Sequence, residues 1–240
     1  MKIYSIPPQP RAILFDIDRT LYENETYARH QEDVLVTALA DHLNLSVPDA
    51  QTRVNQVRGE TTRDSGGKRP SLANTFLALG VDMAQSVRWR ERYILPERYL
   101  APDPELREAL QLLHTRAATS EHGHGNATLA TQGIRTGCLT NNPSAIGRRT
   151  LEVIGIADLM DFVIGLDDTM ASKPDPVGFR MACRRWGVSA EHIISVGDRV
   201  PVDIDPALEL GMGAILVEGI SDLYVGGPLL EALGLPERKA

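Results

Sequence analysis

Cysteine is scarce in this sequence, with only Cys138 and Cys183 among 240 residues. Two thiols cannot form a disulfide framework, so we expect both to be reduced and the protein to be cytoplasmic. Long apolar runs are lacking too, because none approaches the roughly 20 residues that a membrane-spanning helix needs. The first residues, MKIYSIPPQPR, also lack the apolar stretch of a signal peptide.

Positively charged residues are also fewer than negatively charged ones. The chain carries 25 Lys and Arg against 32 Asp and Glu, which gives a formal net charge of −7. A net negative surface disfavours nonspecific binding to nucleic acid and to anionic membranes. We therefore expect neither of these as a partner. The oligomeric state is left open by the sequence.

The sequence does contain a series of short apolar runs, each followed by turn or capping residues. They occupy residues 12–15, 136–140, 161–165, 192–197 and 212–218. Several of these runs lack polar alternation, which is typical of strands buried on both faces of a parallel sheet. Helical patterns lie between the runs, at residues 143–155, 175–187 and 205–211. This alternation predicts an α/β fold with a doubly wound parallel sheet.

One long stretch interrupts the series. From about residue 25 to 102 the sequence shows roughly four helical patterns and no convincing strand. We predict a core domain of residues 1–22 and 103–240 and an inserted helical cap domain of residues 23–102. The helix predicted at 103–114 returns the chain to the sheet, and the polar, Gly-rich residues 115–135 predict a long, mobile loop.

Polar side chains gather where the predicted strands end. In an open α/β sheet, ligands bind at the carboxyl ends of the strands, so these side chains should meet at one edge. The residues concerned are Asp16 and Asp18 after the first run, Thr140 and Asn141 after the second, Lys173 after the third, and Asp198 and Asp203 after the fourth.

Carboxylates brought so close together repel one another, and their burial without compensation would be very costly. A cation would relieve the repulsion between Asp16, Asp198 and Asp203. Oxygen ligands without histidine or cysteine suit Mg²⁺, which commonly binds a few carboxylates together with substrate phosphate oxygens. Lys173 adds a second positive charge, and the Thr140 hydroxyl adds a neutral donor. The pattern predicts a site that accepts a phosphoryl group once Mg²⁺ is bound.

With these residues, the sequence resembles the haloacid dehalogenase (HAD) superfamily, and the resemblance spans nearly the whole chain. The four family motifs match DIDRT at 16–20, TN at 140–141, KP at 173–174 and GDRVPVD at 197–203. The predicted helical insertion resembles the cap that follows the first motif in this family. The resemblance implies a phosphatase that hydrolyses small phosphate esters.

The resemblance also implies roles for the residues. Asp16 would be the nucleophile that forms an aspartyl-phosphate, and Asp18 would protonate the leaving oxygen and then deprotonate the attacking water. Thr140, Asn141 and Lys173 would bind the phosphoryl oxygens. The Mg²⁺ ligands would be Asp16, Asp18 through its backbone carbonyl, Asp198 and Asp203.

Three positions refine this interpretation. The dehalogenase branch lacks the second aspartate of the first motif, so the presence of Asp18 favours phosphate chemistry. Arg19 and Arg199 depart from the family pattern, which more often has a small or uncharged residue at the first position and serine or asparagine at the second. The sequence leaves open whether Arg19 contacts a substrate phosphate or solvent.

The choice of substrate stays open. Lys68 and Arg69, in a Gly-containing loop of the predicted cap, are candidates for contact with a leaving group, and a solvated basic loop is the alternative. Nucleotide monophosphates, sugar phosphates and phosphoglycolate-like acids are all compatible with the motifs. A phosphomutase on the same scaffold, or a non-catalytic binding or regulatory protein, remains as an alternative function.

Overall fold

The computed structural model describes residues 1–64, 67, 69–115 and 133–235. Six strands form one sheet: β1 Lys2–Ser5, β2 Ala12–Phe15, β3 Arg135–Leu139, β4 Val163–Ile164, β5 Ile193–Gly197 and β6 Gly213–Leu216. The α-helices are α1 Glu25–Leu43, α2 Val47–Asp64, α3 Leu72–Ala78, α4 Met83–Tyr93, α5 Pro104–His114, α6 Ser144–Val153, α7 Leu166–Thr169, α8 Val177–Trp186, α9 Asp205–Glu209 and α10 Pro228–Ala232.

The sheet has the strand order β1-β6-β5-β2-β3-β4. Strand β2 lies between β5 and β3 and runs parallel to both, so that Phe15 is paired with Cys138 on one side and Val196 on the other. Strands β4 and β6 extend the parallel arrangement outwards. The prediction of an α/β fold with a parallel sheet and a helical insertion is confirmed.

The edge strand β1 was not predicted, and it makes the sheet mixed because it runs antiparallel to β6. Its four residues are mostly exposed, so they carry neither a buried apolar run nor a clear alternation. The predicted strand at 161–165 is also shorter in the structure, where only Val163 and Ile164 form β4.

The central strand explains why the apolar runs do not alternate. All four residues of β2 are buried. Ile13 and Phe15 belong to the larger apolar cluster, whereas Ala12 and Leu14 belong to a second cluster that includes Phe179 of α8. The central strand β2 is therefore covered on both of its faces, and its carboxyl end is where polar residues can reach solvent.

The helical insertion contains the four predicted helices α1 to α4. Polar side chains cap all four, because Asn24, Ser46, Ser71 and Asp82 each accept a hydrogen bond from a backbone N–H in the first turn. Helix α4 of the insertion packs against α6 and α7, which follow strands of the sheet. The predicted division into two domains at residues 23 and 102 stays a prediction.

Several predictions concern other parts of the chain. Residues 116–132 of the predicted loop lie outside the described residues. Within the part that the structure describes, no helix combines the length and apolar character needed to cross a membrane. Both cysteines carry free thiols, as predicted.

Candidate active site

The central strands deliver three polar segments to one edge of the sheet. Asp16 directly follows β2, Thr140 directly follows β3, and Asp198 directly follows β5. Since β2 is hydrogen-bonded to both neighbours in parallel, the three segments emerge side by side. The topology therefore brings these three segments to the carboxyl end of the sheet, which is where the sequence analysis expects them.

Three carboxylates form a tight cluster there. Asp16, Asp198 and Asp203 each offer an oxygen atom, and these atoms all lie within 4.8 Å of one another. Asp16 and Asp203 are buried, and Asp198 is half-buried. The Asp18 carboxylate does not belong to this cluster, so only its backbone carbonyl remains as a candidate metal ligand at that position.

Lys173 neutralises part of the cluster. Its Nζ donates to Asp16 Oδ1 at 2.7 Å and to Asp203 Oδ1 at 2.6 Å. All three side chains are at most 3% exposed. Burial alone would lower the pKa of Lys173, but the charges of Asp16 and Asp203 outweigh it and raise that pKa above its ordinary value. Lys173 is therefore a permanent cation within the cluster.

The cluster still has an excess of negative charge. Burial, together with the charge of Asp16, raises the pKa of Asp198 from 3.8 to about 6. Burial likewise raises the pKa of Asp203, although Lys173 opposes the rise. Lys173, together with the half-exposed Arg199 beside Asp198, therefore does not fully compensate three carboxylates, which favours an additional cation.

Local backbone geometry brings Asp203 into the cluster. Val200–Ile204 form a π-helical turn, and Ser195 Oγ donates to the Asp203 backbone carbonyl at 2.9 Å. Gly197 makes room for the carboxylate, because a Cβ atom at this position would lie 2.4 Å from the Asp203 Cβ. The close packing against Asp203 therefore explains why a glycine precedes Asp198 in the fourth motif.

The cluster suits a hard divalent cation. Its donors are all carboxylate oxygens, which is the chemistry that Mg²⁺ prefers. Asp16 Oδ2 is buried and has no hydrogen-bond partner among the described residues, so it is available as a ligand. Asp16, Asp198 and Asp203 are thus the side chains that could hold the ion.

Asp18 has a different environment. Its Oδ1 accepts hydrogen bonds from Tyr22 Oη at 2.5 Å and from Gln31 Nε2 at 2.9 Å. Its Oδ2 accepts from Asn142 Nδ2 at 3.1 Å and, at the longer distance of 3.4 Å, from the Thr140 hydroxyl. The two aspartates of the first motif therefore differ in their partners: Asp16 lies against a lysine and carboxylates, and Asp18 lies among neutral donors.

Sequence reasoning missed Tyr22, Gln31 and Asn142. Gln31 lies on α1 of the helical insertion, and its Oε1 accepts a second hydrogen bond from Asn142 Nδ2 at 2.9 Å. Helical periodicity places Gln31 on a helix but does not reveal which side chain of the core it meets. Asn142 directly follows the TN motif, and that adjacency is the one signal in the sequence that could have identified it.

The predicted phosphate-binding residues divide into two groups. Thr140 is buried beside Asp18, and its role in phosphate binding stays a prediction. Asn141 instead interacts with the main chain of Lys173: its Oδ1 accepts from the Lys173 backbone N–H at 2.7 Å, and its Nδ2 donates to the Lys173 carbonyl at 3.3 Å. The Asn141 side chain thus fixes the segment that carries Lys173, which is followed by a cis peptide bond to Pro174.

Comparison with known proteins decides the family. The family model described as haloacid dehalogenase-like hydrolase matches residues 10–211. The chain belongs to this family. The match includes the strand-end residues of the site and the helical insertion, and it confirms the resemblance stated from the four motifs.

Individual relatives of this HAD hydrolase are phosphatases. The chain is 29% identical over 220 residues to a phosphoglycolate phosphatase of Rhodospirillum rubrum, covering 87% of this chain and 79% of that relative. It is 26% identical over 203 residues to a glyceraldehyde 3-phosphate phosphatase of Methanocaldococcus jannaschii, covering 84% and 82%. A solved HAD phosphatase from Thermococcus onnurineus is 25% identical, with a TM-score of 0.60, and the match covers 95% of this chain and 99% of that structure. The prediction of a HAD-type phosphatase is confirmed.

The two arginines that depart from the family motifs lie in different places. Arg19 is exposed and pairs with Glu25 at 3.0 Å, so its guanidinium does not face the carboxylate cluster. Its φ of 62° places it in the left-handed region, where a small residue is more easily accommodated. Arg199 lies against the cluster, with its Nε 3.3 Å from Asp198 Oδ1 and an Nη 4.0 Å from Asp16 Oδ2.

The predicted substrate-contacting loop is described only in part. Lys68 lies outside the described residues, and Arg69 is exposed. Two residues further on, the Ser71 hydroxyl is 2.7 Å from the hydroxyl of Ser172, the residue before Lys173. This contact brings the end of the loop close to the third motif, and the contact of Arg69 with a leaving group stays a prediction.

Proposed function

We propose that this HAD phosphatase is a Mg²⁺-dependent phosphomonoester hydrolase that acts on a small metabolite through an aspartyl-phosphate at Asp16. The observation that supports this most directly is the environment of Asp16. One of its carboxylate oxygens is held by Lys173, and the other is buried without a hydrogen-bond partner in the part of the chain that the structure describes, beside two further carboxylates. A group in this position is well placed to share a cation and to attack an electrophilic phosphorus.

In the first step, an Asp16 oxygen forms a bond to phosphorus while the bond from phosphorus to the leaving oxygen breaks. Asp18 transfers its proton to the leaving oxygen, so that the product departs as an alcohol. Lys173 and Thr140 hold the phosphoryl oxygens as charge redistributes. When bound to Asp16, Asp198 and Asp203, Mg²⁺ supplies positive charge that offsets both the carboxylates and the phosphoryl group.

In the second step, Asp18 is a carboxylate and takes a proton from water. The water oxygen forms a new bond to phosphorus, the bond between phosphorus and Asp16 breaks, and inorganic phosphate is released. Tyr22, Gln31 and Asn142 hold Asp18 in place through neutral hydrogen bonds, so that the same side chain can serve as acid and then as base.

The relatives narrow the range of substrates. Their names specify phosphoglycolate and glyceraldehyde 3-phosphate, which are esters of two or three carbon atoms. We therefore rank small phospho-acids and triose phosphates above nucleotide monophosphates as substrates of this chain. The cytoplasmic location and the lack of nucleic acid or membrane partners stay predictions.

A phosphate-release assay tests the proposal. We expect the purified chain to release inorganic phosphate from members of a metabolite phosphate panel with Mg²⁺ and to lose this activity in excess EDTA. Asp16→Asn should lower kcat by at least about 1,000-fold, because it removes the nucleophile. Asp33→Asn, which changes an exposed aspartate of α1 in the same way, is the matched control and should leave activity unchanged.

Two results would contradict the proposal: activity that survives chelation, and activity that survives Asp16→Asn. Product analysis adds a third test. A phosphomutase would return the phosphoryl group to the product through a bisphosphate, and inorganic phosphate would not accumulate.

A further inference from the structure

Arg199 lies against all three carboxylates of the cluster. Its Nε donates to Asp198 Oδ1 at 3.3 Å, and one Nη lies 4.0 Å from Asp16 Oδ2. Its backbone N–H donates to Asp203 Oδ2 at 3.2 Å, so the main chain of the residue is anchored there as well. Among the described residues, only Lys173 and Arg199 bring a positively charged side chain within 4.0 Å of these carboxylates. Arg199 is therefore a counter-charge of the cluster.

The two cations approach different oxygen atoms. Lys173 donates to Oδ1 of Asp16 and to Oδ1 of Asp203. Arg199 faces Oδ2 of the same two carboxylates, with its side chain and its backbone respectively, and Oδ1 of Asp198. Asp16 Oδ2 is also the buried oxygen that is available to a divalent cation. The oxygen atoms that Lys173 leaves for a metal are thus the ones that Arg199 approaches.

The two cations also differ in how firmly their side chains are held. The Lys173 side chain is 3% exposed, whereas that of Arg199 is 45% exposed. The hydrogen bond from Arg199 to Asp198 is long, and its 4.0 Å approach to Asp16 is too long for a hydrogen bond. A half-exposed ion pair of this kind is weak, so the guanidinium can turn towards solvent when another cation takes its place.

We propose that Arg199 competes with Mg²⁺ for the carboxylate cluster and thereby sets the affinity with which the metal binds. The inference rests on the proposed function, because it takes Asp16, Asp198 and Asp203 as the metal ligands. A positive charge beside these ligands repels a divalent ion and must be displaced before the ion can use Asp16 Oδ2. Removing that charge should therefore make Mg²⁺ binding tighter. Loss of a merely structural contact would have the opposite effect, because ligands that are held less firmly bind a metal less well.

Isothermal titration of the chelator-treated full chain with MgCl₂ tests the inference without any turnover. Arg199→Gln keeps a long polar side chain and removes the charge. We expect this variant to lower the Kd for Mg²⁺ by about 10-fold, which is the effect of one unit charge on a nearby divalent ion under water-like screening. Arg184→Gln makes the same change at an exposed position in the last turn of α8 and should leave the Kd unchanged. An unchanged or higher Kd in Arg199→Gln would overturn the inference.

Two further variants complete the test. Arg199→Lys keeps the charge and loses the planar shape, so we expect its Kd for Mg²⁺ to stay within about threefold of the wild-type value. A lysine variant that binds Mg²⁺ as tightly as Arg199→Gln would overturn the inference, because the charge would then be irrelevant. If Arg199→Gln does not fold, Arg199→Ser takes its place with the same expected result, since serine is common at this position of the family motif.

The inference and the proposed function fail in different ways. If the wild type neither binds Mg²⁺ nor loses activity on chelation, the proposed function fails. If Mg²⁺ binds and supports hydrolysis but Arg199→Gln leaves the Kd unchanged, the proposed function stands and the inference fails. If Arg199→Gln tightens Mg²⁺ binding and no ester is hydrolysed, the inference stands and the proposed function fails.

Discussion

Replacing Asp198 by asparagine should stabilise the metal-free protein at neutral pH. Asp198 is half-buried beside Asp16, and its pKa rises from 3.8 to about 6 because of burial and that neighbouring charge. A rise of this size corresponds to roughly 3 kcal/mol of unfavourable free energy for the ionised carboxylate. Asparagine has nearly the same shape and removes the charge, so this cost should disappear in Asp198→Asn.

The stability difference between Asp198→Asn and the wild type should depend on pH. Because the pKa of Asp198 is higher in the folded state, folding becomes less favourable as pH rises from about 3.8 to about 6. The cost is fully present above pH 6 and vanishes below about pH 4. The stability difference between Asp198→Asn and the wild type should follow the same course, large at pH 7.5 and small at pH 4.

Thermal unfolding in EDTA measures the effect. For a chain of this length, 3 kcal/mol corresponds to a rise in Tm of about 6–12 °C. Mg²⁺ should then raise the Tm of the wild type, since the ion relieves the same repulsion, and should raise the Tm of Asp198→Asn much less. Asp33→Asn on the surface of α1 is the matched control and should not change Tm.

One outcome would refute this reasoning directly. If Asp198→Asn lowers Tm at pH 7.5 in EDTA, the carboxylate stabilises the metal-free fold, and its pair with Arg199 at 3.3 Å would then outweigh the repulsion. A stability difference that does not change between pH 4 and pH 7.5 would also refute it, because an uncharged packing effect has no such dependence.

Further predictions concern single positions. Gly197→Ala should destabilise the fold by about 1–3 kcal/mol in denaturant unfolding, because its Cβ would lie 2.4 Å from the Asp203 Cβ; unchanged stability would show that the turn moves freely. Arg19→Gly should keep full activity, and Arg19→Val should cost about 1–2 kcal/mol of stability, because φ is 62° there; equal stability of the two variants would contradict this. Gln31→Leu should lower kcat by about tenfold and leave KM nearly unchanged, because it removes a 2.9 Å hydrogen bond to Asp18; a change confined to KM would assign Gln31 to binding.

The sheet and the acidic part of the site could be predicted from the sequence for one physical reason. Parallel strands end at the same edge, so a polar residue that follows each buried run must lie near the others. Asp16 and Asp198 are found in this way. Lys173 does not directly follow a strand, and it was placed in the site because it lies in the segment after the third apolar run, just before a helix.

Other parts of the molecule could not be predicted because they depend on how separate elements meet. Strand β1 pairs at an exposed edge, where burial leaves no pattern in the sequence. Gln31 lies on a helix of the insertion, and helical periodicity gives its face but not the core residues opposite, Asp18 and Asn142. Asn141 was predicted to bind phosphate, a role that stays untested, and its amide contacts with the Lys173 backbone could be read only from coordinates.

The hydrogen bonds around Asp18 link the helical insertion to the core. Gln31 of the insertion donates to Asp18 and accepts from Asn142 of the core, so a single amide side chain joins both sides of the site. If the insertion moved away, Asp18 would lose Gln31 as a donor, whereas Asp16 and Lys173 would keep their contact at 2.7 Å. In the proposed mechanism, attack on phosphorus therefore depends on the sheet, whereas protonation of the leaving oxygen depends on the position of the helical insertion.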